Sequence, residues 1–191
     1  HAGTVLGSEI ADYEWVMGVN YWGVVYGTKA FLPLLIDSGE GHVVNVSSVF
    51  GLFAQPAMSA YNSSKFAVRG FTESLRQELD LARNGVSATC VHPGGVKTNI
   101  AVNGRFSASV SDVTGSNGNK SRDAFEMLLR TTPETAAKAI VAGVKAEYAS
   151  RGLAPEVAET VLGILGSVAV STAIEYLAEA SGCYQGMDVG R

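Results

Sequence analysis

From Ser8 to Ile36 apolar residues fall on nearly every face of a helical wheel, as in EWVMGVNYWGVVYGTKAFLPLL. The segment is expected to be a long helix covered by protein on more than one side. Gly18, Asn20 and Gly23 interrupt its middle, where a helix prefers none of the three. DSGEG at 37–41 makes a turn. HVVNVSS at 42–48 is then β-branched without strict alternation, the pattern of a strand buried on both faces of a parallel sheet. A loop punctuated by Gly and Pro leads to a second helix, expected from Ser59 to Leu81, whose stripe of Ala67, Phe71, Leu75 and Leu79 recurs every four residues. Another buried strand follows from Val86 to Val91 and is stopped by Pro93 and two glycines.

Residues 103–122, NGRFSASVSDVTGSNGNKSR, are rich in Ser, Gly and Asn and show no period. A long exposed loop is expected there, of the kind that serves as a mobile lid over substrate or stays disordered. Thr132-Pro133-Glu134 starts a helix running to about Tyr148. Ala154-Pro155-Glu156 starts another, and apolar segments continue to about Ala180. Within them VLGILGSVAV, at 161–170, is too short to span a membrane and suits a buried helix. Strands alternating with helices imply an α/β fold with a mostly parallel sheet. Two strands are clear and a third, near the C-terminus, is faint, which is few for a doubly wound sheet.

Composition narrows the classes. With 191 residues, 47% hydrophobic and 17% charged, the chain suits one domain over 1–191 with a sizeable core. A net charge of -4 without any Lys/Arg cluster leaves no electrostatic footprint for nucleic acid. Cys90 and Cys183 lie far apart, and His1, His42 and His92 are scattered, so neither a disulfide framework nor a metal site is expected. The chain opens with His and shows no basic stretch followed by an apolar one, so no signal peptide is expected. Soluble and cytoplasmic is the default, and the first residue hints at a fragment.

Candidate chemistry begins at YNSSKFAV, residues 61–68. Tyr61 and Lys65, four apart, share one helix face. An ammonium near a phenol lowers its pKa and makes it an acid–base catalyst. Taken alone the pair is weak evidence, since both residues are common on helix surfaces. Ligands in open parallel sheets bind beyond the carboxyl ends of the strands. One strand ends at Ser47-Ser48 and the other at Pro93-Gly94-Gly95, and Tyr61 follows Ser48 by 13 residues, room for a loop back to the same rim. Ser48, Tyr61 and Lys65 can converge there. The spacing selects Ser48, leaving Ser47 as an inward or capping hydroxyl.

At this point the chain resembles the classical short-chain dehydrogenase/reductases. VNYWG is similar to the helix carrying that family's catalytic Asn, here Asn20. HVVNVSSVFG is similar to the strand carrying its catalytic Ser, here Ser48, and YNSSK to its Tyr-x-x-x-Lys. HPGGVKT matches Pro-Gly-x-Val-x-Thr, and HAG resembles the end of Asn-Asn-Ala-Gly. The resemblance implies a Rossmann-like doubly wound parallel sheet with flanking helices, and an oxidoreductase moving a hydride between NAD or NADP and a small carbonyl or secondary alcohol. Tyr61 would be general acid or base, Lys65 would lower its pKa and hold the ribose, and Ser48 would bind the substrate oxygen. Asn20 would distort its helix and position a water leading to Lys65. Ala2, Gly3, Tyr61, Lys65, Pro93, Gly94, Val96 and Thr98 fall on cofactor-contacting positions. The helices at 12–36 and 59–81 would pack against a second copy in a homo-oligomer, a dimer or tetramer.

Departures are equally informative. The family's Thr-Gly-x-x-x-Gly-x-Gly turn, which seats the pyrophosphate at a helix N-terminus, is absent from the sequence, so the fold is expected to be incomplete in its N-terminal half. CYQGMDVG is similar to the family's last strand only in poor register. Thr98 is also readable as a helix cap and Asn20 as a buried amide. Two alternatives stand beside the dehydrogenase: an extended relative of epimerase or dehydratase type, and a non-catalytic remnant acting only in association.

Overall fold

The computed structural model describes residues 1–115 and 118–150. The helix expected from Ala154, the apolar run at 161–170, Cys183 and the faint last strand lie outside the described residues. The chain opens on a loop and enters α1 (Ile10–Met17), a π turn (Gly18–Trp22) and α2 (Gly23–Asp37), which together form one continuous rod. β1 (Gly41–Val46), α3 (Ser59–Ala82) and β2 (Val86–Val91) follow. Two short helices, α4 (Ser111–Thr114) and α5 (Gly118–Leu128), precede α6 (Pro133–Ser150).

β1 and β2 pair in parallel, Gly41 opposite Val86 and Val46 opposite Val91, with α3 as the crossover between them. This is the α/β arrangement expected from the alternation of elements. Val86, Ser87, Ala88 and Thr89 are all buried, so β2 is covered on both faces, as expected of a buried strand. Leu75 and Leu79 of α3 pack on Val86 and Ala88, joined by Leu32 and Leu35 of α2, Val43 and Phe71. Behind β2, α6 is fastened by Glu147, which accepts from Ser87 Oγ and Thr89 Oγ1 and pairs with Arg76 of α3. Among the described residues no helix is long and apolar enough to cross a membrane.

Two expectations need correction. The innermost stripe of α3 is Ser64, Val68, Thr72, Leu75 and Leu79, while Ala67 and Phe71 are only half-buried beside it. The hydroxyls of Ser64 and Thr72 donate back to Tyr61 O and Val68 O, and Thr72 Oγ1 also accepts from Asn45, so small polar residues sit inside at little cost. Along the α1–α2 rod Val19, Trp22, Tyr26, Phe31 and Leu34 are exposed in the single chain. Finally, much of 103–122 is ordered into turns and helix rather than an open loop. Ser107 Oγ accepts from Ser109 N, Val110 is buried, and Gly115 closes α4 at φ +65°. Ser107 is a cap, and a cap leaves no periodic stripe to read.

Candidate active site

The parallel ladder runs one residue past β1, with Ser47 N–H donating to Val91 O at 2.7 Å. Val49 N–H then donates to Pro93 O, and His92 Nδ1 lies 3.0 Å from Ser48 O. A carbonyl can only accept, so the His92 tautomer here carries its proton on Nδ1. Ser48 is thus pinned from both neighbours and across the strand gap, in extended backbone and 7% exposed. Its Oγ accepts Phe50 N–H at 3.1 Å and so caps a single 3-10 turn over Val49–Gly51. With a lone pair engaged, the hydroxyl still has a proton to give.

Ser47 points the other way, because successive side chains of an extended segment alternate. Its buried Oγ donates to Lys65 O at 2.8 Å and ties β1 to α3, the inward role expected of it. Tyr61 and Lys65 occupy the first turns of α3, with Nζ 5.6 Å from the ring centroid. Burial pushes the Tyr61 phenol above its ordinary range, and hydrogen bonding to the Ser48 side chain pulls it partly back. The expectation that Lys65 sets this pKa is therefore not met in the chain alone. Lys65 Nζ instead donates to Val46 O at 3.1 Å. Burial lowers its own pKa, with Cys90 working in the opposite direction.

Asn20 stands at the centre of the π turn, and Gly23 N–H reaches back five residues to Gly18 O. A π turn inserts extra backbone into a helix, and such turns concentrate at functional sites. The distortion anticipated at the glycine-flanked Asn20 is thus present. Its side chain donates to Ser64 Oγ at 3.0 Å, and Ser64 Oγ donates to Tyr61 O at 2.7 Å. The rod and the Tyr61 helix are therefore coupled through Ser64, a residue that sequence reading passes over although it adjoins Lys65. His92 is missed likewise, and only its place before Pro93 marks it.

The positions matched to cofactor contacts are distributed unevenly. Gly95 O accepts from Arg130 N and Thr131 N, and Lys97 N donates to Thr131 O, so the segment after β2 is held beside the strand ends. Thr98 Oγ1 accepts from Ile100 N at 3.4 Å, the capping role that its position also allowed. Ala2 N–H donates to Arg105 O and Gly3 N–H to Ala57 O, so both backbone donors are engaged within the chain.

The family model described as short chain dehydrogenase matches residues 2–107. A protein of Mycobacterium tuberculosis (strain CDC 1551 / Oshkosh) named "Putative oxidoreductase SadH" is 50% identical over 168 residues, covering 86% of this chain and 59% of its own length. The Dehydrogenase/reductase SDR family member 7B of Xenopus laevis is 36% identical over 148 residues, covering 75% of this chain and 45% of its own. The chain thus spans less than two thirds of either relative. A crystal structure of a short chain dehydrogenase/reductase from Burkholderia phymatum, in complex with NAD, aligns over 100% of this chain and 65% of that one, at TM-score 0.62 and 24% identity. That likeness is one of fold. With the family model covering the strand ends, the π turn and the Tyr61 helix together, the chain belongs to the short-chain dehydrogenase family.

Proposed function

We propose that this chain bears the acid–base centre of an oxidoreductase acting between a nicotinamide dinucleotide, NAD or NADP, and a ketone or secondary alcohol. The observation that carries the proposal is the meeting of Ser48, Tyr61 and Lys65, from a strand end and a helix start, at one rim of the sheet. When bound, the nicotinamide supplies or accepts the hydride. Ser48 donates to the substrate oxygen and fixes it, an orientation effect. Tyr61 gives that oxygen its proton when a ketone is reduced and takes it back when an alcohol is oxidised. Raised by burial, the phenol is protonated at neutral pH, the state that reduction needs. An ammonium has three donors and Val46 O takes one, so ribose hydroxyls suit the others. The donor set fits the nicotinamide ribose end, with Lys65, Tyr61 and the Gly94–Thr98 backbone at the same strand ends. Ala2 and Gly3 would contribute by close approach rather than by their N–H groups. The exposed Val19, Trp22 and Tyr26, with the last two rings stacked at 5.7 Å, support a homo-oligomeric contact along α1–α2.

Lys65→Met in the full-length protein tests the assignment. Losing a charged donor is expected to weaken NADH or NADPH binding about ten-fold or more, and turnover should fall about 10²-fold. Fluorescence titration beside steady-state kinetics reads both. Unchanged cofactor affinity would remove the ribose contact.

The pH profile gives a second check. Ser48 is the group that pulls the Tyr61 phenol down, so Ser48→Ala raises that pKa further. Alcohol oxidation needs the phenolate, hence its rate profile should move to higher pH while kcat drops about 10²-fold. A profile that keeps its wild-type midpoint would break the Ser48–Tyr61 link.

A further inference from the structure

The stretch between Ser48 and Tyr61 has a character that the acid–base chemistry does not require. Residues 49–58 read VFGLFAQPAM, with Gln55 the one polar side chain among them. The Phe50 ring meets the Tyr61 ring edge-on at 6.3 Å and 85°, and Phe53 meets Phe50 in the same manner at 5.6 Å and 89°. Phe53 is 38% exposed, and Ala54 and Pro56 are exposed beside it. Phe50 is fixed by the bond that orients Ser48, its own N–H on Ser48 Oγ. The rest of the stretch is held as well. Asn62 Nδ2 donates to Gln55 O at 2.8 Å, Gly3 N to Ala57 O at 2.8 Å, and Ala57 holds a left-handed φ of +57°. An apolar wall therefore stands, already shaped, one turn away from the hydroxyl and phenol.

We propose that the substrate carries a bulky apolar group, aromatic for preference, on its reacting carbon, and that Phe50 and Phe53 receive it. The inference rests on the reaction proposed above. A substrate oxygen between Ser48 and Tyr61 brings its neighbouring substituent against this stretch. A sugar or a carboxylate there would find no side-chain donor from Val49 to Ala54 and would lose its water unpaired. An aromatic ring would gain edge-to-face contact with Phe53 and displace water from apolar surface. Because the wall is pre-formed, little ordering cost opposes binding.

The test compares acetophenone with 2-butanone in the full-length protein, with NADH and NADPH supplied in turn. Wild type should favour acetophenone at least about ten-fold in kcat/KM, within the range that an apolar pocket discriminates. Phe53→Ala should lower kcat/KM for acetophenone about ten-fold, mainly through KM, and leave 2-butanone within about two-fold. Phe53→Leu, which keeps the apolar volume, should fall between. Sedimentation velocity and thermal melting of both variants should match wild type. Equal losses on the two ketones, or wild-type preference for 2-butanone, would overturn the wall while leaving the reaction standing. A changed sedimentation profile would make Phe53 a subunit contact and also overturn it. No nicotinamide-linked turnover of either ketone would overturn the reaction and the wall together.

Discussion

Tyr61→Phe in the full-length protein is expected to lower turnover by about 10²–10⁴-fold, the usual contribution of a positioned acid or base. Cofactor affinity and thermal stability should stay close to wild type. The substitution removes one oxygen and leaves the ring. That ring keeps its edge-on contact with Phe50 and its place under Lys65 Nζ. The structural loss is confined to one phenol oxygen and its interaction with the Ser48 side chain, at most about 0.5–1.5 kcal/mol, the range of a typical intramolecular hydrogen bond. The sign of the pH dependence follows from burial, which raises the phenol pKa. Ketone reduction consumes the protonated form, so it holds through neutral pH and falls as pH climbs through that raised pKa. Alcohol oxidation rises over the same interval. Absorbance of the reduced nicotinamide, followed in both directions, reads this directly. A variant retaining more than half of wild-type activity would take proton transfer away from Tyr61.

The parts of this molecule that a sequence reveals are those in which one physical demand governs a whole segment. β2 is buried on both faces and stopped by Pro93 and two glycines, so a short segment of small and β-branched residues marks it from Val86 to Val91. The π turn is foreshadowed because Gly18, Asn20 and Gly23 oppose an α-helix together. The inner face of α3 escapes reading for the opposite reason. Ser64 and Thr72 satisfy their hydroxyls on carbonyls of their own helix, and polarity then ceases to report exposure. Residues 103–115 hide their turns because one serine cap, Ser107, and one buried valine, Val110, produce no period.

The candidate site divides along a similar line. Asn20, Ser48, Tyr61 and Lys65 are legible as motifs, each at a characteristic spacing within its own segment. The groups that hold them are not. His92 reaches Ser48 across 44 positions, Asn20 reaches Ser64 across 44, and Ser47 reaches Lys65 across 18. No local pattern encodes such contacts. The electrostatics are legible only in part: the ammonium is expected to govern the phenol, but desolvation is the larger influence on both groups.

Gly51→Ala is expected to damage the site from outside it. A Cβ on Gly51 would stand 2.3 Å from Ser47 Oγ and 2.8 Å from the Lys65 carbonyl oxygen. Gly51 N–H closes the 3-10 turn onto Ser48 O at 2.8 Å, so the turn cannot swing aside without releasing Ser48. The neighbour on the other side is helix backbone, which yields less readily than a side chain. A methyl group must therefore break the Ser47–Lys65 bond or push α3 away from the end of β1. Either outcome shifts Lys65 from Val46 O and Tyr61 from Ser48. Overpacking of this kind costs about 1–3 kcal/mol, and displacement of a catalytic group by about an ångström can cost about 10²-fold in rate. Gly70 supplies the control, since it lies in the same helix and a methyl group added there would meet nothing within 4 Å. Gly70→Ala should leave turnover unchanged and stabilise by about 0.5–1 kcal/mol, the usual gain over glycine in a helix interior. Thermal melting and kcat measured on the pair separate the effects. Wild-type turnover and melting in Gly51→Ala would show that the close approach of turn and helix does not set the geometry of Tyr61 and Lys65.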